Sequence, residues 1–125
     1  MSTLPKPTDW MDSPPLVPEA PALDLDHLRR MTLGERELER EVLTLFARQA
    51  EELSLRLEKL PVEGASLAHT LKGSAQAIGA FAVADAAERL ETRLRHRLTT
   101  TTEIAALRQA VGSVQTAIAE RLQLL

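Results

Sequence analysis

Residues 68–80 read Ala68-His69-Thr70-Leu71-Lys72-Gly73-Ser74-Ala75-Gln76-Ala77-Ile78-Gly79-Ala80. On a helical wheel at about 100° per residue, Leu67, Leu71, Ser74 and Ile78 fall on one narrow stripe. His69 falls on the opposite side, beside Lys72, Gly73 and Gln76. This helix is expected to bury Leu67, Leu71 and Ile78 and to hold an imidazole out to solvent. A cation follows one turn later, at i+3, and a residue without a side chain follows at i+4.

Working outward from that helix, the same apolar period recurs on both sides. Leu38, Val42, Leu45, Phe46, Leu53, Leu57 and Leu60 mark an amphipathic helix over 35–60, ended by Pro61. The histidine helix is predicted over 62–78, with Gly79 placed as its C′ residue. A further helix over 81–97 buries Val83, Ala86, Ala87, Leu90 and Leu94. The polar, β-branched run Thr99 to Thr102 is a break. Thr100 and Glu103 have capping-box spacing for a last helix that buries Ile104, Leu107, Val111, Val114, Ile118 and Leu122. Before all of these, 24–31 forms a short helix with acidic residues in its first turn, and Gly34 breaks it. No alternating run of β-branched residues suggests a strand. The reading is all-α: an antiparallel up-down four-helix bundle with a short extra N-terminal helix. Ala75, Ala82, Ala86 and Ala87 would let the histidine helix and its successor approach closely.

Composition agrees and excludes several functions. The chain has 125 residues, enough for one modest core. Aromatic residues are only 2% of it, so aliphatic side chains and alanine must fill that core. No Cys is present, which excludes disulfides, thiolate metal sites and cysteine nucleophiles. A net charge of −3 gives no electrostatic case for nucleic acid. No apolar run is long enough to cross a membrane and no secretory signal is visible, so a soluble cytoplasmic protein is expected. Six of the seven prolines lie before residue 23: Pro5, Pro7, Pro14, Pro15, Pro18 and Pro21. Residues 1–22 are therefore read as an extended tail, and 23–125 as the bundle. Trp10 and Met11 are the tail's two residues suited to docking on the bundle.

The chemistry of the histidine helix is that of a nucleophile. A neutral imidazole attacks an electrophilic phosphorus through Nε2 and gives a labile phosphohistidine. Negative charge spreads over the oxygens during transfer, so a cation within reach is useful, and Lys72 supplies one. A side chain at Gly73 would crowd the imidazole; a mid-helix glycine costs about 1 kcal/mol against alanine, and that steric need is a reason to tolerate it. Gln76 lies on the same face and can hydrogen-bond a partner. Other candidates are weaker. His27 has no acidic or histidine partner at i+3 or i+4, and His96 suits the C-terminal dipole among Arg93, Arg95 and Arg97. Three scattered histidines do not make a zinc site, so no metal is expected. Acidic pairs such as Glu88 and Glu91 read as solvated helix faces. No glycine-rich phosphate cradle is present, so the chain is not expected to bind ATP and phosphorylate itself.

Ala68-His69-Thr70-Leu71-Lys72-Gly73-Ser74, then Ile78-Gly79-Ala80 and Ala87-Glu88-Arg89-Leu90-Glu91, resemble a histidine-containing phosphotransfer (HPt) domain. The likeness extends over 23–125, including Leu23-Asp24 and the run from Leu45 to Leu53. It implies that His69 accepts a phosphoryl group from a receiver-domain aspartate and donates it to another. It also implies that Lys72 neutralises phosphoryl charge, that Gly73 and Gln76 face the docking receiver, and that Gly79 ends the helix. The implied partners are response-regulator receiver domains and a hybrid sensor histidine kinase. The chain itself would need no cofactor; the Mg²⁺ for transfer would belong to the receiver. Some members place a glutamine on the following helix near the histidine, where this chain offers Glu88 and Glu91. Two competing classes are a non-phosphorylated adaptor that docks receiver or kinase domains, and the dimerising histidine domain of a sensor kinase. A monomer is expected, whereas the last would be an obligate dimer.

The tail yields a first prediction. Deleting residues 1–22 leaves the thermal midpoint of the remainder, followed by circular dichroism, unchanged. Trp10 is the single tryptophan, so its emission reports on the tail alone. A blue-shifted maximum that moves on unfolding would show instead that the tail docks on the bundle.

Overall fold

The computed structural model describes residues 20–125. The proline-rich stretch through residue 19, with Trp10 and Met11, lies outside the described residues. Five helices and no strand occur among the described residues: α1 (Leu25–Met31), α2 (Arg36–Glu58), α3 (Gly64–Ile78), α4 (Phe81–Arg95) and α5 (Thr101–Leu124). No helix among them is long and apolar enough to cross a membrane.

Each break has a local cause. Asp24 caps α1 by accepting the His27 backbone N–H at 3.1 Å. Gly34 follows α1 with φ +74°. Beyond α2, Leu60 takes a left-handed φ of 49° ahead of Pro61. That turn swings Leu60 out to solvent, so it is not the core residue the period suggested. Gly79 ends α3 with φ +89°, and Ala80 N–H returns to the Ala75 carbonyl at 2.8 Å. α4 ends two residues earlier than expected, through Arg97 at φ 57°. The threonine break is shorter than expected as well, because Thr101 and Thr102 already belong to α5. The expected capping box does not form. Thr100 makes no side-chain cap, and Glu103 is drawn instead to Arg93 at 3.3 Å.

Cross-helix contacts give the directions. Glu39 near the start of α2 pairs with Arg121 near the end of α5, and Glu58 at the end of α2 pairs with Arg108 near the start of α5 at 3.1 Å. α2 and α5 are therefore antiparallel. The first turn of α3 lies against the last turn of α4: a Cβ on Gly64 would stand 3.2 Å from Leu94 Cδ1. Arg36 Nη2 donates to the Leu125 carbonyl at 2.9 Å and joins the other two ends. α3 packs most extensively against α4, and α1 lies across the C-terminus of α3.

One core runs through the bundle. Leu43, Leu57, Leu71, Leu90, Leu107, Val114 and Ile118 are fully buried in it. On α3 the inward stripe is Gly64, Ala68, Leu71, Ala75 and Ile78. Leu67 and Ser74 sit on its flank, half-buried, so the stripe is rotated slightly from the expected one. Leu43, not Leu45, is the inward residue of that turn of α2, and Leu45 is exposed. The alanine contact between α3 and α4 forms through Ala68, Ala75, Ala84, Ala86 and Ala87, all buried. Ala82 is exposed because it falls off the Val83–Ala87–Leu90 side of α4. A buried carboxylate needs a partner, and Glu39 has the Arg121 guanidinium, which it holds in its charged form.

Gly79 carries a double constraint. Its φ is left-handed, and a Cβ there would lie 3.0 Å from the Asp24 carbonyl, whose own N–H donates to Gly79 O at 3.0 Å. Gly79→Ala is expected to cost about 2 kcal/mol in urea denaturation. Gly112, mid-helix in α5 with nothing within 4 Å of a Cβ, provides the control: Gly112→Ala gains about 0.5–1 kcal/mol.

Candidate functional site

The site forms where α3 and α4 approach most closely. α3 turns three kinds of side toward its surroundings. Ala68 and Ala75 face the core, Ser74 and Ala77 border α2, and His69, Gly73 and Gln76 face solvent. The His69 side chain is 61% exposed, as its position opposite the apolar stripe requires.

The residue that organises the site comes from α4. Glu91 is 8% exposed, with Ala84, Ala87 and Leu90 on its side of the helix also buried. Its carboxylate accepts three donors. His69 Nδ1 lies 3.0 Å from Oε2, Arg95 donates to the same oxygen from Nε at 2.9 Å and Nη2 at 2.8 Å, and Lys72 Nζ stands 3.4 Å from Oε1. Burial pushes the Glu91 pKa up, but hydrogen bonds from Arg95, His69 and Lys72 outweigh it and hold the carboxyl below its ordinary value. Glu91 is thus ionised at neutral pH and can only accept. The proton in this contact therefore sits on Nδ1, and in the neutral form of the ring the lone pair is on Nε2. Glu91 thus fixes the orientation of the exposed His69 ring and holds Lys72 and Arg95 beside it.

His69 and Lys72 are thus brought together through a residue on another helix. Lys72 is half-buried on the α4 side. Gly73 lies on the outward face toward α2. A Cβ there would meet nothing within 4 Å. An alanine methyl there would not touch the imidazole, and the glycine leaves the surface beside His69 bare. Gln76 lies exposed farther along α3 and takes no part in the Glu91 cluster. An apolar groove between α2 and α3, lined by Val42, Leu45, Phe46, Ala77 and Ile78, adjoins this face.

One sequence reading needs correction. Glu91 is not a solvated helix face, whereas Glu88 is. Of the two carboxylates offered to the histidine, Glu91 is the one that reaches it. Arg95, named from the sequence only as a neighbour of His96, also lies in the Glu91 cluster. Its i,i+4 spacing from Glu91 was the available signal. The remaining histidines have other surroundings. His27 Nε2 shares a hydrogen bond with the Ala77 carbonyl at 3.0 Å and lies edge-on to Phe81, so it fastens α1 to the end of α3. His96 is the exposed C-cap residue of α4. Among the described residues, no group of three or more His, Cys, Asp or Glu could hold a metal ion.

A family model of the Hpt domain matches residues 41–117. Among solved structures, the chain is similar to the histidine phosphotransferase ShpA from Caulobacter crescentus. The identity is 26% and the TM-score 0.67, over 82% of this chain and 91% of that one. No curated protein matches the sequence.

Because the folded-state pKa of Glu91 lies below 4.5, its pairing contributes stability that is complete above that pH and is lost as pH falls through the folded value. Glu91→Gln removes this contribution. Between about pH 5 and pH 3 the wild type is expected to lose more stability than Glu91→Gln, read as the difference between their urea midpoints. Equal losses would mean that the carboxylate gains nothing from its three donors.

Proposed function

The chain belongs to the Hpt-domain family, which serves in phosphorelays, and on that premise we propose that it is a phosphorelay intermediate carrying its phosphoryl group on His69 Nε2. The observation that carries this reading is the hydrogen bond between His69 Nδ1 and a buried, ionised Glu91. With Nδ1 holding the proton, the neutral ring carries its lone pair on Nε2, and the His69 side chain is exposed on the outward face of α3.

In the first step the imidazole attacks the phosphorus of a receiver's aspartyl phosphate. The Nε2–P bond forms, the P–O bond to the carboxyl breaks, and the receiver recovers its carboxylate. The proton on Nδ1 stays in place, so the ring becomes cationic, and Glu91 opposite it stabilises that charge. In the second step a carboxylate oxygen of another receiver attacks, the P–N bond breaks, and the imidazole returns to neutrality. Lys72, anchored on Glu91 within side-chain reach of His69, stabilises the charge on the phosphoryl oxygens. The Mg²⁺ that such a transfer uses would belong to the receiver. The docking partner lies over the bare surface at Gly73 and Gln76 and reaches the apolar groove at Leu45 and Ala77. A hybrid sensor kinase is the source of the phosphoryl group.

Three substitutions test the assignment. His69→Gln is expected to abolish acid-labile phosphate on the protein while circular dichroism stays unchanged. Full labelling of that variant would place the phosphate elsewhere, and an unlabelled wild type would leave a docking adaptor. Gly73→Gln fills open space, so it is expected to keep or raise the thermal midpoint while slowing transfer from a phosphorylated receiver at least tenfold, about 1.4 kcal/mol in the barrier. Lys72→Ala is expected to slow transfer by one to two powers of ten, about 1.4–2.8 kcal/mol, with docking retained.

A further inference from the structure

The Glu91 cluster contains one cation more than a resting carboxylate needs. Oε2 of Glu91 accepts both the His69 Nδ1–H and the Arg95 guanidinium. Arg95 therefore stands within two hydrogen-bond lengths of the imidazole ring. Its side chain is 55% exposed and that of His69 61%, so both groups reach solvent beside Glu91. Arg93, two residues earlier and so on the other side of α4, is committed to Glu103 and to the Thr99 carbonyl. Arg95 is thus the arginine of this turn that lies beside the histidine.

Charge balance gives that position a purpose. With the imidazole in the neutral form that attacks phosphorus, Lys72 and Arg95 against Glu91 leave one positive charge in excess. Phosphorylation adds a dianion at Nε2 and turns the ring into a cation. The site then carries as many positive as negative charges, but only if Arg95 is counted. Glu91 no longer depends on the guanidinium in that state, because the cationic ring remains against it. A planar guanidinium offers paired N–H donors that match phosphoryl oxygens, and a long exposed side chain can turn from one acceptor to another.

We propose that Arg95 is a second phosphoryl-binding residue, which rests on Glu91 and moves to the phosphoryl oxygens when His69 is phosphorylated. The inference rests on the phosphohistidine reading above and adds a residue that the pattern around His69 does not contain. Glu91 acts as a stand-in anion that keeps the guanidinium in place between turnovers.

The test needs no receiver. The full chain is phosphorylated with phosphoramidate, whose P–N bond breaks as ammonia leaves and the Nε2–P bond forms. Phosphorus-31 NMR then follows the phosphohistidine resonance as a function of pH. A guanidinium in contact favours the dianion, so Arg95→Ala is expected to raise the midpoint by about half to one pH unit. Arg95→Lys restores at least part of the shift, and Arg95→Gln behaves as Arg95→Ala. An unmoved midpoint in Arg95→Ala overturns the proposal, and so does an equal shift in Arg95→Ala and Arg95→Lys, which would take charge out of the cause. If the wild type gives no phosphohistidine resonance, the reading of His69 falls and this proposal falls with it. A normal wild-type resonance with unresponsive variants defeats the proposal alone.

Discussion

A carboxylate removed from water must be met by donors, and Glu91 is where this bundle meets that requirement. Its partners come from two helices. Lys72 and His69 reach across from α3, and Arg95 reaches back along α4. The interaction joins structure to chemistry in one step. The donors that make burial of the charge tolerable are the exposed histidine itself and the two cations that flank it. Neither half can be altered alone, because a neutral residue at 91 releases two cations and also removes the anion that faces the imidazole.

The remainder of the fold sets the conditions for that contact. A glutamate has a short reach, so α3 and α4 must lie close together. Alanines provide this: Ala68 and Ala75 on α3, and Ala84 and Ala87 on α4, are all buried. Helix axes about 8 Å apart, the near end of the usual range, require small residues at the contact. The register between the two helices is held at both ends. Gly64 against Leu94 fits one end, and the reversal at Gly79, clasped by Asp24, fixes the other. The ion pairs of α2 with α5 brace the far side of the bundle and leave the outward face of α3 clear.

The number and order of the helices were legible because apolar period and chain breakers agree. Gly34, Pro61 and Gly79 each fall where a helix stops. His69 was legible as an outward residue because a wheel needs only the apolar stripe to place it. Glu91 and Arg95 were not. A wheel gives direction relative to the core and says nothing about which neighbour occupies the flank of the stripe. Glu91 sits on that flank, so whether it is solvated or buried depends on how closely α3 approaches. The misplacement of Leu45 has the same origin, since a small rotation of α2 exchanges it with Leu43. Leu60 failed for a different reason: its left-handed φ ends the period one residue before the apolar pattern does.

In the phosphoryl carrier proposed above, a carboxylate at this position suits a site that must also rest without a phosphoryl group. A neutral amide could accept the Nδ1–H and fix the tautomer equally well. It could not hold Lys72 and Arg95, whose long side chains would then sample many rotamers. Ordering such a side chain costs up to about 2 kcal/mol of conformational entropy, and that cost would fall on every transfer. With Glu91 in place the ordering happens on folding, and the cations are already beside Nε2 when a partner arrives. The arrangement has a counterweight, because a cation bound to Glu91 is less available to the phosphoryl oxygens. Two cations on one carboxylate resolve the conflict. The anion keeps both near the histidine and saturates its charge with either one, leaving the other free to follow the phosphoryl group.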